Sequence, residues 1–229
     1  MTIELYSGVP GSGKSYHATR TIYESLRYKK KPVICNYELN GIQEGWQFHY
    51  IDNWEMKPAI LQQFANDYWS DHIFQENGII LVIDECQLVF NSREWQNKNR
   101  MEWLKFFSQH RHYGYKVIFI AQFDRMVDRQ IRALIEYEYV HRRLRSVGKV
   151  ASIVDFVFNG VFVAIRKYYP LNQRLDSEFF KLSKKICSMY ETHKTIFDAT
   201  GARTDGGQSR EGTAGGSLRI APDVPRTAA

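Results

Sequence analysis

The chain alternates between short apolar, β-prone runs and longer stretches with helical spacing of apolar residues. Thr2–Ser7 (TIELYS) is a strand that runs into a glycine-rich turn. A helix is expected from about Lys14 to Leu26, then a buried strand over Pro32–Asn36 and a further short one over Gln47–Ile51. Pro58–Trp69 follows as a helix. Gly78–Asp84 (GIILVID) is a continuous apolar run ending in a carboxylate, which marks a strand covered on both faces. Glu94–His112 has helical spacing, with Trp95, Met101, Leu104, Phe107 and Ser108 close to one stripe. Lys116–Gln122 (KVIFIAQ) is another buried strand, and a short helix fits Val127–Ile135.

From Glu136 the pattern changes. Glu136–Arg143 has strand character. Ser152–Phe158 and Val161–Lys167 are β-rich runs joined by Asn159-Gly160, a strong hairpin signal. Ser177–Tyr190 is expected to be a last helix with Ser177 as its N-cap. Strands alternating with helices predict an α/β fold: a wound, mainly parallel sheet with helices on both faces and a C-terminal β-hairpin. Residues 198–229 contain six glycines and no aromatic residue, so they lack the apolar surface to offset ordering entropy. The expected division is a folded domain over 1–197 and a disordered polar, glycine-rich tail over 198–229.

Composition narrows the function classes. The 229 residues suffice for one good-sized domain, and a hydrophobic fraction of 44% supports a proper core. A formal net charge of +6 suits an anionic partner such as phosphate, nucleic acid or an acidic membrane surface. Cys35, Cys86 and Cys187 form no CxxC pair, which favours reduced thiols in a cytosolic protein. No apolar run approaches the roughly 20 residues that span a bilayer, and Met1–Ser7 runs straight into a strand instead of a signal sequence.

Gly8-Val9-Pro10-Gly11-Ser12-Gly13-Lys14-Ser15 fits G-x-x-x-x-G-K-[ST] and lies between a strand and a helix, as the motif requires. The glycines let backbone N–H groups turn around phosphates, and the helix N-terminus adds a favourable dipole. Gly8 to Ser15, with Tyr16 after them, are therefore the nucleotide-binding candidates. Lys14 is expected at the β- and γ-phosphates and Ser15 at Mg²⁺. Asp84 ends a buried strand, where α/β folds place their sites, and can share that Mg²⁺. Glu85 follows as a candidate general base. GxPGxGK also occurs in small-molecule kinases, but an apolar strand ending Asp-Glu points to hydrolysis with water as acceptor.

Gln122, at the end of the next strand, is a candidate sensor of the γ-phosphate or of the attacking water. His110-Arg111-His112 precedes that strand. It can be a solvated helix end, a weak metal site, or a place where Arg111 approaches a phosphate in its own or a neighbouring copy. Arg142, Arg143, Arg145 and Lys149 form a basic cluster that either holds an anionic partner or is a charged hairpin face.

GVPGSGKS, PVICNYELN, LVIDECQLVFNSREW, QHRHYGYKVIFIAQ and DRQIRALIEYEYVHRR follow one another in order. Together, over roughly residues 1–190, they resemble the cytosolic ATPase domain of the zonular occludens toxin (Zot) family, the assembly (gene I) proteins of filamentous phages. The resemblance implies a P-loop NTPase of the RecA/FtsK-HerA kind. It implies ATP and Mg²⁺ as cofactors, Glu85, Lys14, Gln122 and Arg111 in catalysis, and Ser15 with Asp84 on the metal. Arg125, Arg129 and Arg132 are further arginines that can act on a neighbour's nucleotide. It also implies a homo-oligomeric ring, phage assembly and coat proteins as partners, and export of single-stranded phage DNA. The expected location is the bacterial host cytoplasm, at the inner face of the inner membrane, reached through a partner or a further C-terminal segment. The alternative is a nucleotide-switched binding or scaffold module without significant hydrolysis, or a toxin-like effector.

Overall fold

The computed structural model describes residues 2–90, 97–144 and 161–190. Eight strands form one sheet: β1 (Ile3–Ser7), β2 (Val33–Cys35), β3 (Phe48–Tyr50), β4 (Ile79–Ile83), β5 (Tyr115–Ile120), β6 (Tyr137–Arg143), β7 (Val161–Tyr168) and β8 (Gln173–Lys181). Their spatial order is β3-β2-β4-β5-β1-β6-β7-β8. The first six in that order run parallel, and β7 and β8 are antiparallel additions. Strand β5 thus lies between β1, which leads into the glycine-rich turn, and β4, which ends at Asp84. This is the wound, mainly parallel sheet that the alternation of strands and helices predicts.

Helices cover both faces. On one, α1 (Lys14–Arg27) and α5 (Lys184–Met189) pack over Tyr6, Val33, Cys35, Ile80, Val82, Ile118 and Ile120. Helix α1 turns Ala18, Ile22 and Leu26 inward at intervals of one turn, and all three are buried. On the other face, α2 (Pro58–Asp71), α3 (Asn97–Gln109) and the single-turn α4 (Arg129–Arg132) cover Ile3, Leu5, Leu81, Ile83, Val117 and Phe119. Strands β1, β4 and β5 are buried on both sides because each alternate residue feeds a different core.

Three expectations change. The stripe of α3 is rotated: Trp103, Phe106, Phe107 and His110 are buried, whereas Met101 is 64% exposed and Ser108 is exposed. Of the 127–135 helix only Arg129–Arg132 forms, capped by Asp128, whose carboxylate accepts from Gln130 N at 2.8 Å. Ser177 does not cap a helix. Gln173–Lys181 is a strand, and the helix begins only at Lys184. The cause is tertiary. Beside β7, adjacent Phe179 and Phe180 point to opposite faces, which seats Phe180 against Phe162 at 5.8 Å between rings and leaves Phe179 63% exposed. The β7–β8 turn runs through Tyr169–Asn172, with Asn172 N bonded to Tyr169 O at 3.1 Å. The first arm of the Ser152–Phe158 hairpin, its Asn159-Gly160 turn and the 198–229 tail lie outside the described residues.

Beneath the glycine-rich turn, His17 Nδ1 and His141 Nε2 are 2.9 Å apart. His141 Nδ1 donates to Tyr139 O at 2.8 Å, so its Nε2 accepts from His17. Burial pushes His17 down to about 4 and His141 down to about 3. Both rings are neutral in the fold at pH values where the unfolded chain takes up protons. Their contribution to stability is therefore complete above about pH 6.5 and is lost as pH falls toward 4. Asp84, raised by its own burial to about 6, opposes this trend. The urea unfolding midpoint is expected to drop between about pH 7.5 and about pH 5, and to drop less in the His17→Gln/His141→Gln double variant.

Candidate active site

The parallel strands deliver their C-terminal ends to one edge of the sheet, and the chemistry-bearing residues collect there. The turn after β1 winds tightly because two glycines sit where no side chain fits. A Cβ on Gly8 would lie 2.5 Å from the His141 carbonyl oxygen, and one on Gly13 would lie 2.9 Å from the Phe162 ring. Gly13 also takes φ 92° as the residue before α1, and no side chain caps the helix. The first N–H groups of α1 are thus left facing the loop, as anion binding requires. Lys14 folds into the same loop, its Nζ donating to Gly8 O at 2.7 Å and Val9 O at 3.2 Å. Ser12 Oγ is buried in the loop without a hydrogen-bond partner, a polar atom positioned for a further acceptor or donor.

Across the inserted strand, Ser15 Oγ donates to Asp84 Oδ2 at 3.1 Å. Residues 69 apart in sequence meet because β4 and β1 flank β5. Burial pushes the Asp84 carboxyl up to about 6, the Glu85 charge adds to this, and the Glu85 N–H, Ser15 hydroxyl and Lys14 pull it back. Burial lowers Lys14, and Asp84 and Glu85 offset part of that effect. A hydroxyl beside a carboxylate is a hard oxygen pair suited to Mg²⁺. Among the described residues no three His, Cys, Asp or Glu side chains converge on a metal site. The residues present fit an ion that takes its other ligands from water and nucleotide phosphates.

Glu85 follows with φ 47° and ψ 44°, a left-handed conformation that costs a non-glycine residue about 1–3 kcal/mol. Its carboxylate accepts a hydrogen bond from Gln87 Nε2. Gln122 leaves the end of β5, between β4 and β1, and its carbonyl accepts from Gly8 N at 3.2 Å. Gln122 also lines a groove of about 780 Å³ beside the loop, shared with Val9, Phe123, Arg142, Lys167 and Tyr169. Arg143 is exposed near the Phe162 ring, and Arg145 and Lys149 lie outside the described residues.

Arg111 occupies a different place. It precedes β5, at the sheet edge away from the loop, and faces Glu136 at 3.8 Å with its side chain 64% exposed. The glycine-rich turn and Arg111 of one copy are thus separated by the length of the strands. Arg132 faces Asp124 at 3.9 Å, while Arg125 and Arg129 are exposed without an ion-pair partner among the described residues. His110 Nδ1 bonds to Phe107 O at 2.6 Å, and burial lowers its pKa, so it is a neutral core residue.

Asn36 has a role of its own that the local sequence pattern does not announce. At the end of β2, its Oδ1 accepts from Asp84 N at 2.6 Å and its Nδ2 donates to Asp84 O at 2.7 Å. Nδ2 also reaches Asn53 Oδ1 at 2.7 Å. One side chain thereby holds both polar groups of the Asp84 backbone. The available signal was an asparagine closing a buried strand, without an obvious turn to explain it. Asn36→Ala is expected to lower metal-dependent activity by about 10–100-fold, as loss of a ligand-orienting contact does. A titration of activity against Mg²⁺ checks this.

The family model of the zonular occludens toxin (Zot) matches residues 2–195. The chain belongs to the Zot family. Among curated relatives of this Zot-family chain, the Gene 1 protein of Escherichia phage If1 is 31% identical over 153 residues, covering 62% of this chain and 43% of the relative. The Gene 1 protein of Enterobacteria phage M13 is 36% identical over 92 residues, covering 40% and 26%. The putative assembly protein ORF301 of Pseudomonas phage Pf3 is 29% identical over 152 residues, covering 64% and 46%. The chain spans less than half the length of these relatives. Among solved structures, the N-terminal domain of zonular occludens toxin from Neisseria meningitidis has a TM-score of 0.53 at 19% identity, covering 83% of this chain and 98% of that one. B204, the DNA-packaging ATPase of Sulfolobus Turreted Icosahedral Virus, has a TM-score of 0.51 at 15% identity, covering 80% and 98%. At such identities the likeness concerns the fold, which is that of the P-loop NTPases.

Proposed function

We propose that this Zot-family chain is a Mg²⁺-dependent ATP hydrolase of filamentous phage assembly. The observation that carries the proposal is the contact of Ser15 Oγ with Asp84 Oδ2 across the inserted strand, beside a loop whose lysine is already folded inward. Lys14 and the loop N–H groups hold the phosphates, and Ser15 and Asp84 would hold Mg²⁺, whose chemistry there would be to offset phosphate charge. Glu85 takes the proton of the attacking water. The side chain of Gln122 orients that water, and its carbonyl link to Gly8 couples the end of β5 to the loop.

The likeness to the Gene 1 protein of phage If1 and to the putative assembly protein of phage Pf3 supports a phage-assembly setting. In that setting, turnover by a homo-oligomeric ring drives export of single-stranded phage DNA, with other assembly and coat proteins, at the cytoplasmic face of the host inner membrane. No helix among the described residues is long and apolar enough to cross a membrane. The test is ATP turnover by wild type beside Glu85→Gln. Turnover no higher than in the variant removes the hydrolase reading and leaves the nucleotide-switched scaffold.

A further inference from the structure

The nucleotide site uses the beginning of α1, and the far end of that helix carries a cluster with no part in it. Arg27 Nη1 donates to the Tyr23 hydroxyl at 2.6 Å, and Lys185 Nζ, from α5, donates to the same oxygen at 2.7 Å. Two cations reach one neutral oxygen. Among the described residues no carboxylate lies within ion-pair distance of either. The nearest acid along the helix, Glu24, is held by Arg20 at 3.0 Å. The hydrogen bond from Lys185, followed by that from Arg27, lowers the pKa of the Tyr23 phenol. The local field there calls for negative charge.

The surroundings extend this field. Lys29, Lys30 and Lys184 are exposed, Tyr28 is 67% exposed, and Leu182 is 41% exposed. The Arg27 guanidinium lies 5.5 Å from the Tyr28 ring centre. Fourteen residues of α1 at about 1.5 Å each put this cluster about 20 Å from Lys14, beyond the reach of a nucleotide held in the loop. Single-stranded nucleic acid is held by rings in succession along a basic groove. Among the described residues of this patch Tyr28 is the one open ring, since Tyr23 is buried and Trp46 is half-buried. Five cations around a single exposed tyrosine and a leucine match an anionic bilayer surface better. Clusters of four to eight Lys and Arg attract such surfaces, and tyrosine favours the interface.

We propose that the end of the molecule formed by Arg27–Lys30 and Lys184–Lys185 docks directly on anionic phospholipid headgroups, with Tyr28 at the interface. The proposal rests on the membrane-face placement above and is independent of hydrolysis. The experiment is co-sedimentation of the full chain, without nucleotide, with vesicles of phosphatidylcholine alone or mixed with phosphatidylglycerol. Binding is expected only to the mixed vesicles, and it should weaken as salt rises. Lys30→Glu and Lys184→Glu should each weaken binding at least about fivefold, whereas Lys105→Glu, an exposed lysine of α3 on the other face, should change it by less than about twofold. All three positions are exposed, and thermal melts confirm that the variants fold.

The proposal is overturned if the vesicles are not distinguished, or if Lys105→Glu weakens binding as much as the patch variants do. It is also overturned if the patch variants lose a single-stranded oligonucleotide while keeping the vesicles. Absence of ATP turnover with vesicle binding intact defeats the hydrolase reading alone, and turnover without vesicle binding defeats this one alone.

Discussion

Glu85→Gln is expected to lower ATP turnover by about 10²–10⁴-fold, the range for losing a general base, while nucleotide affinity stays close to wild type. The substitution keeps the size of the side chain and its polar contact with Gln87, and removes only the ability to take a proton. The left-handed backbone at Glu85 is held by its neighbours, because Asn36 grips the Asp84 backbone immediately before it. The variant therefore leaves Lys14, Ser15 and Asp84 in place to bind. Steady-state turnover and fluorescent-nucleotide affinity, measured on the same preparation, check both halves. A loss of turnover smaller than about tenfold would remove Glu85 from the role of base.

A comparable effect is expected at Arg111. Placed at the sheet edge away from its own loop, and held among the described residues only by a 3.8 Å pair with Glu136, Arg111 can serve a nucleotide only in a neighbouring copy. Wild-type turnover per molecule should then rise steeply with protein concentration. Arg111→Ala should stay low throughout, by about 10³–10⁵-fold at saturation, as for an arginine supplied between subunits in other P-loop enzymes. Mixing Arg111→Ala with Glu85→Gln provides a sharper test. Each variant is inactive alone, yet mixed assemblies contain interfaces where an intact Arg111 faces an intact Glu85, so activity should return. Equal activity of wild type and Arg111→Ala at every concentration would exclude this residue. The exposed Arg125, on the edge that carries the loop, would then be the residue to substitute next.

The phosphate loop, the apolar strand ending at Asp84 and the strand ending before Gln122 were legible in the chain because each is a local pattern. A glycine turn between strand and helix, or a run of five apolar residues, owes its form to neighbours in sequence. The same locality explains why β1 to β6 and helices α1 and α2 fall close to the expected bounds.

What remained hidden depends on partners far along the chain. Gln173–Lys181 has no strong strand pattern of its own, and it is a strand because β7 offers a ladder and Phe162 offers a ring for Phe180. The stripe of α3 turned toward Trp103 and Phe106 because the second core, with Phe90 and Phe119 in it, lies on that side. Asn36 acquires a role only when β2 and β4 become neighbours, and Arg111 moves out of its own site only because parallel strands carry their two ends to opposite edges of the sheet. Residue types and spacing determined which chemistry the chain can hold. The pairing of strands distant in sequence decided which residues face it, because a side chain's surroundings are set by the contacts the folded backbone brings and not by its position along the chain.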